Sequence, residues 1–158
     1  MITLYFDGLC IPKNPGGVAT FGYAIYSDGK KLNEGHGFVG AGMLGDDVSN
    51  NVAEYHALIR GLEHLISIGY NGEVEIKGDS QLVINQLSGK YAVRARRLVS
   101  LHRKAKDLLK RFSKTTLKWV PREENSEADR LSRVAFDEFL RRHCAEYKKY
   151  YFLSETSV

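Results

Sequence analysis

Four acidic residues stand where predicted strands end or predicted helices begin. Asp7 follows an apolar, aromatic run and precedes Gly8, and Asp79 follows a second apolar run. Glu54 and Asp129 each fall in the first turn of a predicted helix. Because the carboxyl ends of adjacent parallel strands meet at one edge of a sheet, we expect Asp7 and Asp79 to lie side by side. Clustered carboxylates repel one another unless a cation compensates their charge, so this pattern predicts a metal site.

Oxygen ligands of this kind suit Mg²⁺ or Mn²⁺, and no neighbouring cysteine or histidine cluster favours zinc. Two such ions about 4 Å apart can activate a water molecule and stabilise the leaving oxygen when a phosphodiester is cleaved. Each acid also has a purely structural interpretation. Asp7 could form a turn with Gly8, and Glu54 could form a capping box with Asn51. Asp79 could cap a helix, and Asp129 could lie in the first turn of a helix that Ser126 caps. These interpretations require four independent coincidences, so we favour the metal site.

The periodicity of the chain predicts an α/β fold. Residues 2–8, 18–26 and 31–42 have the pattern of three strands that form an antiparallel meander, and residues 9–17 have that of an irregular loop. Apolar residues at helical spacing from Val52 to Ile66 predict a helix, capped by Asn50 or Asn51. Residues 73–80 and 115–120 predict two further strands, which crossover connections would make parallel to the first.

The region from Lys90 to Lys114 is strongly basic. It carries ten of the 23 Lys and Arg residues but only one acid, Asp107. Apolar residues between Leu98 and Phe112 recur at helical spacing, which predicts an amphipathic helix with a basic outer face. A solvated surface helix is the alternative, but a charge distribution this one-sided favours a polyanion as partner.

A length of 158 residues and 43% hydrophobic content suit one globular domain. The sequence has no long apolar run and no basic-then-apolar leader, so we expect a cytoplasmic location without membrane binding. Cys10 and Cys144 show no metal-binding spacing; we expect free thiols, although a bridge between them stays open. We expect a catalytic domain over residues 1–143 and an aromatic tail over 144–158 that packs on it and frays at Ser154–Val158.

Four motifs, taken in order, resemble those of the type 1 ribonucleases H over roughly residues 1–143. They are Asp7-Gly8 with Asn14-Pro15-Gly16-Gly17, Asn50-Asn51-Val52-Ala53-Glu54, Gly78-Asp79-Ser80-Gln81, and Trp119-Val120 followed by Asn125-Ser126-Glu127-Ala128-Asp129. The resemblance implies a ribonuclease H-like fold with a five-stranded mixed sheet in the order 3-2-1-4-5 and helices on both faces. It also implies that the four acids bind metal and cleave the RNA strand of an RNA/DNA hybrid, leaving a 5′-phosphate and a 3′-hydroxyl.

The same resemblance assigns contacts in the minor groove of the hybrid. By position, the residues concerned are Cys10, Asn14, Asn50, Asn51 and Gln81. Amide and backbone groups can read the 2′-hydroxyls that distinguish RNA from DNA. A monomer without an obligate protein partner is expected.

Two features depart from many bacterial members of the family. The loop before Asp129 is short and has no histidine, and Arg122 stands nearest. Arginine stays protonated and cannot act as a general base, so we expect Arg122 to grip phosphate or product. The family's basic protrusion is also missing, and we expect part of its contact with the hybrid to come from Lys90, Arg94, Arg96 and Arg97.

Two alternatives stay open on the sequence alone. A metal-dependent nuclease of the same fold that acts on double-stranded RNA or on DNA would keep the acids but relax the amide contacts. A non-catalytic nucleic-acid-binding module would need only the basic helix, and we expect such a module to lack one or more of the acids. All four acids are present, which favours the hybrid endonuclease.

Overall fold

The computed structural model describes residues 1–153 and contains one five-stranded sheet in the order β3-β2-β1-β4-β5. The strands are β1 (Ile2–Ile11), β2 (Val18–Ser27), β3 (Lys30–Ala41), β4 (Glu73–Gly78) and β5 (Lys114–Trp119). β1, β2 and β3 form an antiparallel meander, and β4 and β5 run parallel to β1. The predicted α/β fold, with its mixed sheet and strand order, is therefore confirmed.

Helices cover both faces of the sheet. They are α1 (Asn50–Ser67), α2 (Gln81–Leu87), α3 (Arg96–Leu109) and α4 (Ser126–Lys148). α1 packs on one face and contacts α3, while α4 contacts β1, β2 and β3 on the other face. Two 3₁₀ turns, Gly42–Leu44 and Arg122–Glu124, precede α1 and α4, and a π-helical turn, Lys149–Leu153, follows α4.

The main core lies between the sheet and α1. Leu4 and Phe6, two residues apart on β1, are fully buried against Leu58, Leu62 and Leu65 of α1. The strand period of two and the helix period near 3.6 place all five side chains in one layer. Burial of each such side chain contributes about 1.5–3 kcal/mol to folding, so this layer fixes the position of α1 on the sheet.

Two elements differ from the predicted ranges. β1 continues to Ile11 and does not end at residue 8, because β2 pairs with it along its whole length. Residues 9–11 are therefore strand, not loop. The basic region from Lys90 to Lys114 is helical only over Arg96–Leu109, and before this helix the Lys90 and Tyr91 N–H groups both donate to the Asn85 carbonyl of α2.

The predicted helix caps are wrong. Ser49 caps α1 by accepting from the Val52 N–H at 3.2 Å, and Ser80 caps α2 in the same way. Neither Asn50 nor Asn51 is the cap, since α1 already begins at Asn50, and Asp79 precedes the cap of α2. Ser126 is the first residue of α4, and the residue before it caps without a side-chain hydrogen bond. None of the four acids therefore serves as a helix cap.

The C-terminal region continues the last helix. α4 runs through residue 143 to Lys148, with a kink at His143, where φ is −132° and ψ is 25°. Beyond it, Tyr151 is buried against the domain. The predicted fraying of Ser154–Val158 lies outside the described residues. Cys10 and Cys144 are both free.

Among residues 1–153, no helix has the length and apolar character needed to span a membrane.

Candidate active site

The site begins where two parallel strands part. Phe6 and Gly78 form the last parallel pair of β1 and β4, and β4 ends there while β1 continues. Asp7 and Asp79 are the residues that directly follow this pair. Asp7 lies inside a strand and not at its end as predicted, yet the two acids still meet at one edge because the pairing stops at that point.

Two glycines allow helices to approach Asp7 closely. A Cβ at Gly8 would overlap with the backbone of Ala53 and Glu54 at the start of α1. Gly22 is the partner of Asp7 on β2, and a Cβ there would overlap with the Ala128 carbonyl near the start of α4. The beginnings of both helices can therefore reach the sheet at the height of Asp7.

Glu54 completes a cluster of three carboxylates. The side chain is only 4% exposed, and Asp7 is 6% exposed. One carboxylate oxygen from each of Asp7, Glu54 and Asp79 lies within 4.8 Å of the others. The Oε2 atom of Glu54 is buried and has no hydrogen-bond partner among the described residues. An orphaned buried carboxylate oxygen is costly unless a cation or proton satisfies it.

Asn125 connects the strands beneath this cluster. Its Nδ2 donates to the Phe6 carbonyl at 2.9 Å and to Oδ1 of Asp79 at 3.2 Å, and the residue is only 1% exposed. Trp119 fixes Asp79 from the other side, since its Nε1 donates to the Asp79 carbonyl at 3.1 Å. The sequence motifs alone predict no separate role for Asn125. An asparagine immediately before a helix was a signal, but it is also typical of an ordinary cap.

Asp129 lies beside the cluster but outside it. It stands in the first turn of α4, and one of its oxygens accepts from Nε of Arg133 at 3.2 Å. It is close enough to Asp7 that its charge contributes to raising the pKa of that residue. The structure thus brings three of the predicted acids together and places the fourth next to them.

Burial and mutual repulsion disfavour the charged forms of the buried acids. Burial, followed by the charge of Asp79, raises the pKa of Asp7 from 3.8 to about 8. Burial, followed by the charge of Asp7, raises the pKa of Glu54 well above its ordinary value. A bound cation would reverse both effects. An all-oxygen donor set with an orphaned oxygen fits Mg²⁺ or Mn²⁺.

Two of the predicted groove-contacting residues form a pair. The Asn14 Nδ2 donates to Oδ1 of Asn50 at 2.6 Å, and the Asn50 N–H donates to Oδ1 of Asn14 at 2.9 Å. Asn51 is partly exposed on the first turn of α1, and Gln81 is exposed at the start of α2. Cys10 is buried and its Sγ donates to the Lys13 carbonyl, so only its backbone is available to a ligand.

The predicted basic contacts have different surroundings. Arg94 and Arg96 are exposed, whereas Nε of Arg97 donates to Oδ1 of Asp47 at 2.9 Å. Lys90 is exposed in the connection between α2 and α3. Arg122 is exposed on the 3₁₀ turn before α4 and forms no ion pair with a residue in the described range.

The sequence is similar to those of known nucleases. It matches the reverse transcriptase-like family over residues 6–135. It is 40% identical over 89 residues to the bifunctional protein Rv2228c of Mycobacterium tuberculosis, covering 56% of this chain and 24% of that protein. It is 36% identical over 134 residues to ribonuclease HI of Halobacterium salinarum, covering 85% of this chain and 63% of that protein. The chain therefore spans less than two thirds of the length of these curated relatives.

A solved structure shows the same relationship in three dimensions. LC11-RNase H1, isolated from compost by a metagenomic approach, was solved in complex with an RNA/DNA hybrid. It is 33% identical to this chain, with a TM-score of 0.79, and the match covers 89% of this chain and 99% of that one. With the same fold, an acidic cluster at the parting of β1 and β4, and matches of this extent, the chain belongs to the type 1 ribonuclease H family.

Proposed function

We propose that this chain is an endonuclease that hydrolyses the RNA strand of RNA/DNA hybrids and requires divalent metal ions. The observation that carries the proposal is the cluster of Asp7, Glu54 and Asp79, whose carboxylate oxygens lie within 4.8 Å of one another. Membership of the ribonuclease H family supports it. The complex of LC11-RNase H1 with an RNA/DNA hybrid supports the choice of substrate.

In this proposal, Asp7, Glu54 and Asp79 hold Mg²⁺ or Mn²⁺, with Asp129 beside them. Two bound ions would supply an activated water and stabilise the leaving oxygen, giving a 5′-phosphate and a 3′-hydroxyl. The protein itself contributes geometry. Asn125 orients the Asp79 carboxylate through its 3.2 Å hydrogen bond, and the buried Oε2 atom of Glu54 has no hydrogen-bond partner among the described residues, which leaves it available to a cation.

We propose that Asn14 and Asn50 recognise the RNA strand together. Their mutual hydrogen bonds fix both side chains, and each amide retains hydrogen-bonding capacity for a 2′-hydroxyl. Fixed polar groups lose little conformational entropy on binding, which favours discrimination. Asn51, Gln81 and the backbone at Cys10 complete the proposed contact with the groove.

The basic region supplies the attraction to the phosphate backbone. Lys90, Arg94 and Arg96 are exposed and available for this role. Arg97 is oriented by Asp47, so its guanidinium is held in place but partly neutralised. Arg122, on the turn that leads to Asp129, is proposed to hold a phosphate or the product near the acids.

Cleavage of three matched duplexes, RNA/DNA, RNA/RNA and DNA/DNA, tests this proposal. Each is incubated with Mg²⁺, with Mn²⁺ and with a chelator, and the ends of the products are analysed. We expect metal-dependent cleavage of the RNA/DNA duplex and none by Asp7→Asn. Preferential cutting of RNA/RNA or DNA/DNA would point to a nuclease of different specificity. Binding without cleavage of any duplex would point to a non-catalytic module.

We also predict that the protein acts as a monomer and that it is located in the cytoplasm. Size-exclusion chromatography with light scattering measures the first, and fractionation of cells that produce the protein measures the second. A stable dimer or a membrane-associated fraction would contradict them.

A further inference from the structure

The C-terminal turn is bonded to the side of the molecule that carries the proposed groove contacts. Tyr151 is 5% exposed, and its hydroxyl donates to the Gly16 carbonyl at 2.8 Å. The same hydroxyl accepts from the Met43 N–H at 3.1 Å. One side chain near the end of the described residues therefore joins the loop after β1 to the turn after β3.

The loop after β1, residues 12–17, is here called the reader loop because it contains Asn14. Besides the Tyr151 hydroxyl, two backbone hydrogen bonds hold its end: the Gly16 N–H donates to the Val48 carbonyl at 3.0 Å, and the Gly42 N–H donates to the Gly17 carbonyl at 3.1 Å. A Cβ at Gly42 would overlap with the Gly16 carbonyl group, so the two segments are in close backbone contact.

The hydrogen bonds continue from this point to the proposed RNA contact. Asn14 stands two residues before Gly16, and it exchanges two hydrogen bonds with Asn50 at the start of α1. At the other end, the Tyr151 ring packs against Tyr147, with the ring centroids 5.2 Å apart. The Tyr151 ring thus lies in a packed aromatic cluster, and its hydroxyl bonds to a loop whose residues 12–15 are exposed.

We propose that Tyr151 is a positioning residue for substrate recognition. Its hydroxyl fixes the Gly16 carbonyl and with it the conformation of the reader loop, so that the Asn14 side chain stays paired with Asn50 and faces the RNA strand. The proposal rests on the proposed function, since it assumes that Asn14 contacts the hybrid. It assigns the C-terminal segment a role in affinity for substrate and none in the chemical step, because Tyr151 does not touch the carboxylate cluster.

Tyr151→Phe tests the proposal, because it removes the hydroxyl and keeps the ring that packs in the core. Tyr147→Phe is the matched control: it removes a hydroxyl from the same aromatic cluster, and that hydroxyl bonds to no residue in the described range. Since loss of a net hydrogen bond changes an equilibrium about two- to tenfold, we expect Tyr151→Phe to raise KM for the RNA/DNA hybrid by about that factor. The value of kcat should stay within about twofold of wild type, and Tyr147→Phe should change neither constant.

A double-mutant cycle with Asn14→Ala distinguishes positioning from general destabilisation. If Tyr151 acts through Asn14, then Tyr151→Phe should raise KM in the wild-type background and have little further effect in the Asn14→Ala background. Equal effects of Tyr151→Phe in both backgrounds, or an unchanged KM in a folded variant, would overturn the positioning role. The wild-type protein is measured in the same series. Cleavage of the hybrid by wild type together with an unchanged KM for Tyr151→Phe would refute this inference alone, and failure of wild type to cleave would refute the proposed function as well.

Discussion

Asp7→Asn should make the metal-free protein more stable, although it abolishes the proposed activity. The folded protein raises the pKa of the Asp7 carboxyl from 3.8 to about 8. Between these values the folded state binds more protons than the unfolded state, so the free energy of unfolding falls as the pH rises. The destabilisation is complete above about pH 8 and absent below about pH 4.

The size of the effect follows from the same shift. A change from 3.8 to about 8 corresponds to a ceiling of about 6 kcal/mol. Asp7 and Glu54 are coupled and can share the proton, and solvent reaches the site at the partly exposed Asp79, so we expect Asp7→Asn to recover about 2–4 kcal/mol at pH 8. For a domain of this length, that gain raises Tm by about 5–15 °C.

Thermal unfolding in a chelator, followed by circular dichroism between pH 5 and pH 8, measures the effect. Asp107→Asn is the control, because Asp107 is exposed on α3 and is not one of the clustered acids, and its profile should follow that of wild type. The difference in Tm between Asp7→Asn and wild type should become smaller as the pH falls. Added Mg²⁺ should stabilise wild type and not Asp7→Asn, since a ligand that binds only the folded state raises its stability. Equal Tm values at pH 8 in chelator, or a gap independent of pH, would refute this account of the site.

Three further predictions concern residues around the cluster. Asn125→Ala should lower the free energy of unfolding by about 1–3 kcal/mol and reduce kcat, because it leaves the Phe6 carbonyl and Asp79 without their donor. An unchanged free energy of unfolding and an unchanged kcat would exclude a role for Asn125 in orienting Asp79. Arg122→Ala should reduce kcat more than it raises KM in steady-state assays, and unchanged kinetics would remove Arg122 from the site. Arg96→Ala should lower the slope of log Kd against log salt concentration by about one for hybrid binding, and an unchanged slope would place α3 away from the substrate.

The sequence predicted the sheet and the meeting of its acids because those features depend on local patterns. Alternating apolar residues and turn-forming residues between them identify strands, and a helix between two strands implies a parallel crossover. The predicted strand ends put Asp7 and Asp79 at one edge, and the two acids do meet there, although Asp7 lies inside β1 and only β4 ends beside it. Helical periodicity likewise predicted that Glu54 lies at the start of α1.

Features that depend on a distant partner were not predicted. Nothing near residues 9–11 indicates that β1 continues, because the partner that extends it is β2. The cap of α1 was assigned to Asn50 or Asn51, yet the pairing of Asn50 with Asn14 could be seen only in the fold. The same holds for Asn125, which bonds to Phe6 across more than a hundred residues.

The instability of the metal-free cluster and its affinity for cations have the same physical origin. Folding brings Asp7 and Glu54 into a site with almost no exposure to solvent, and the apolar layer between α1 and the sheet holds them there despite their repulsion. The negative charges that destabilise the metal-free site attract a cation. The carboxylates are already in place, so binding costs little reorganisation. The close helix approaches at Gly8 and Gly22 matter for this reason, since a looser site would relax the repulsion and lose affinity for the metal with it.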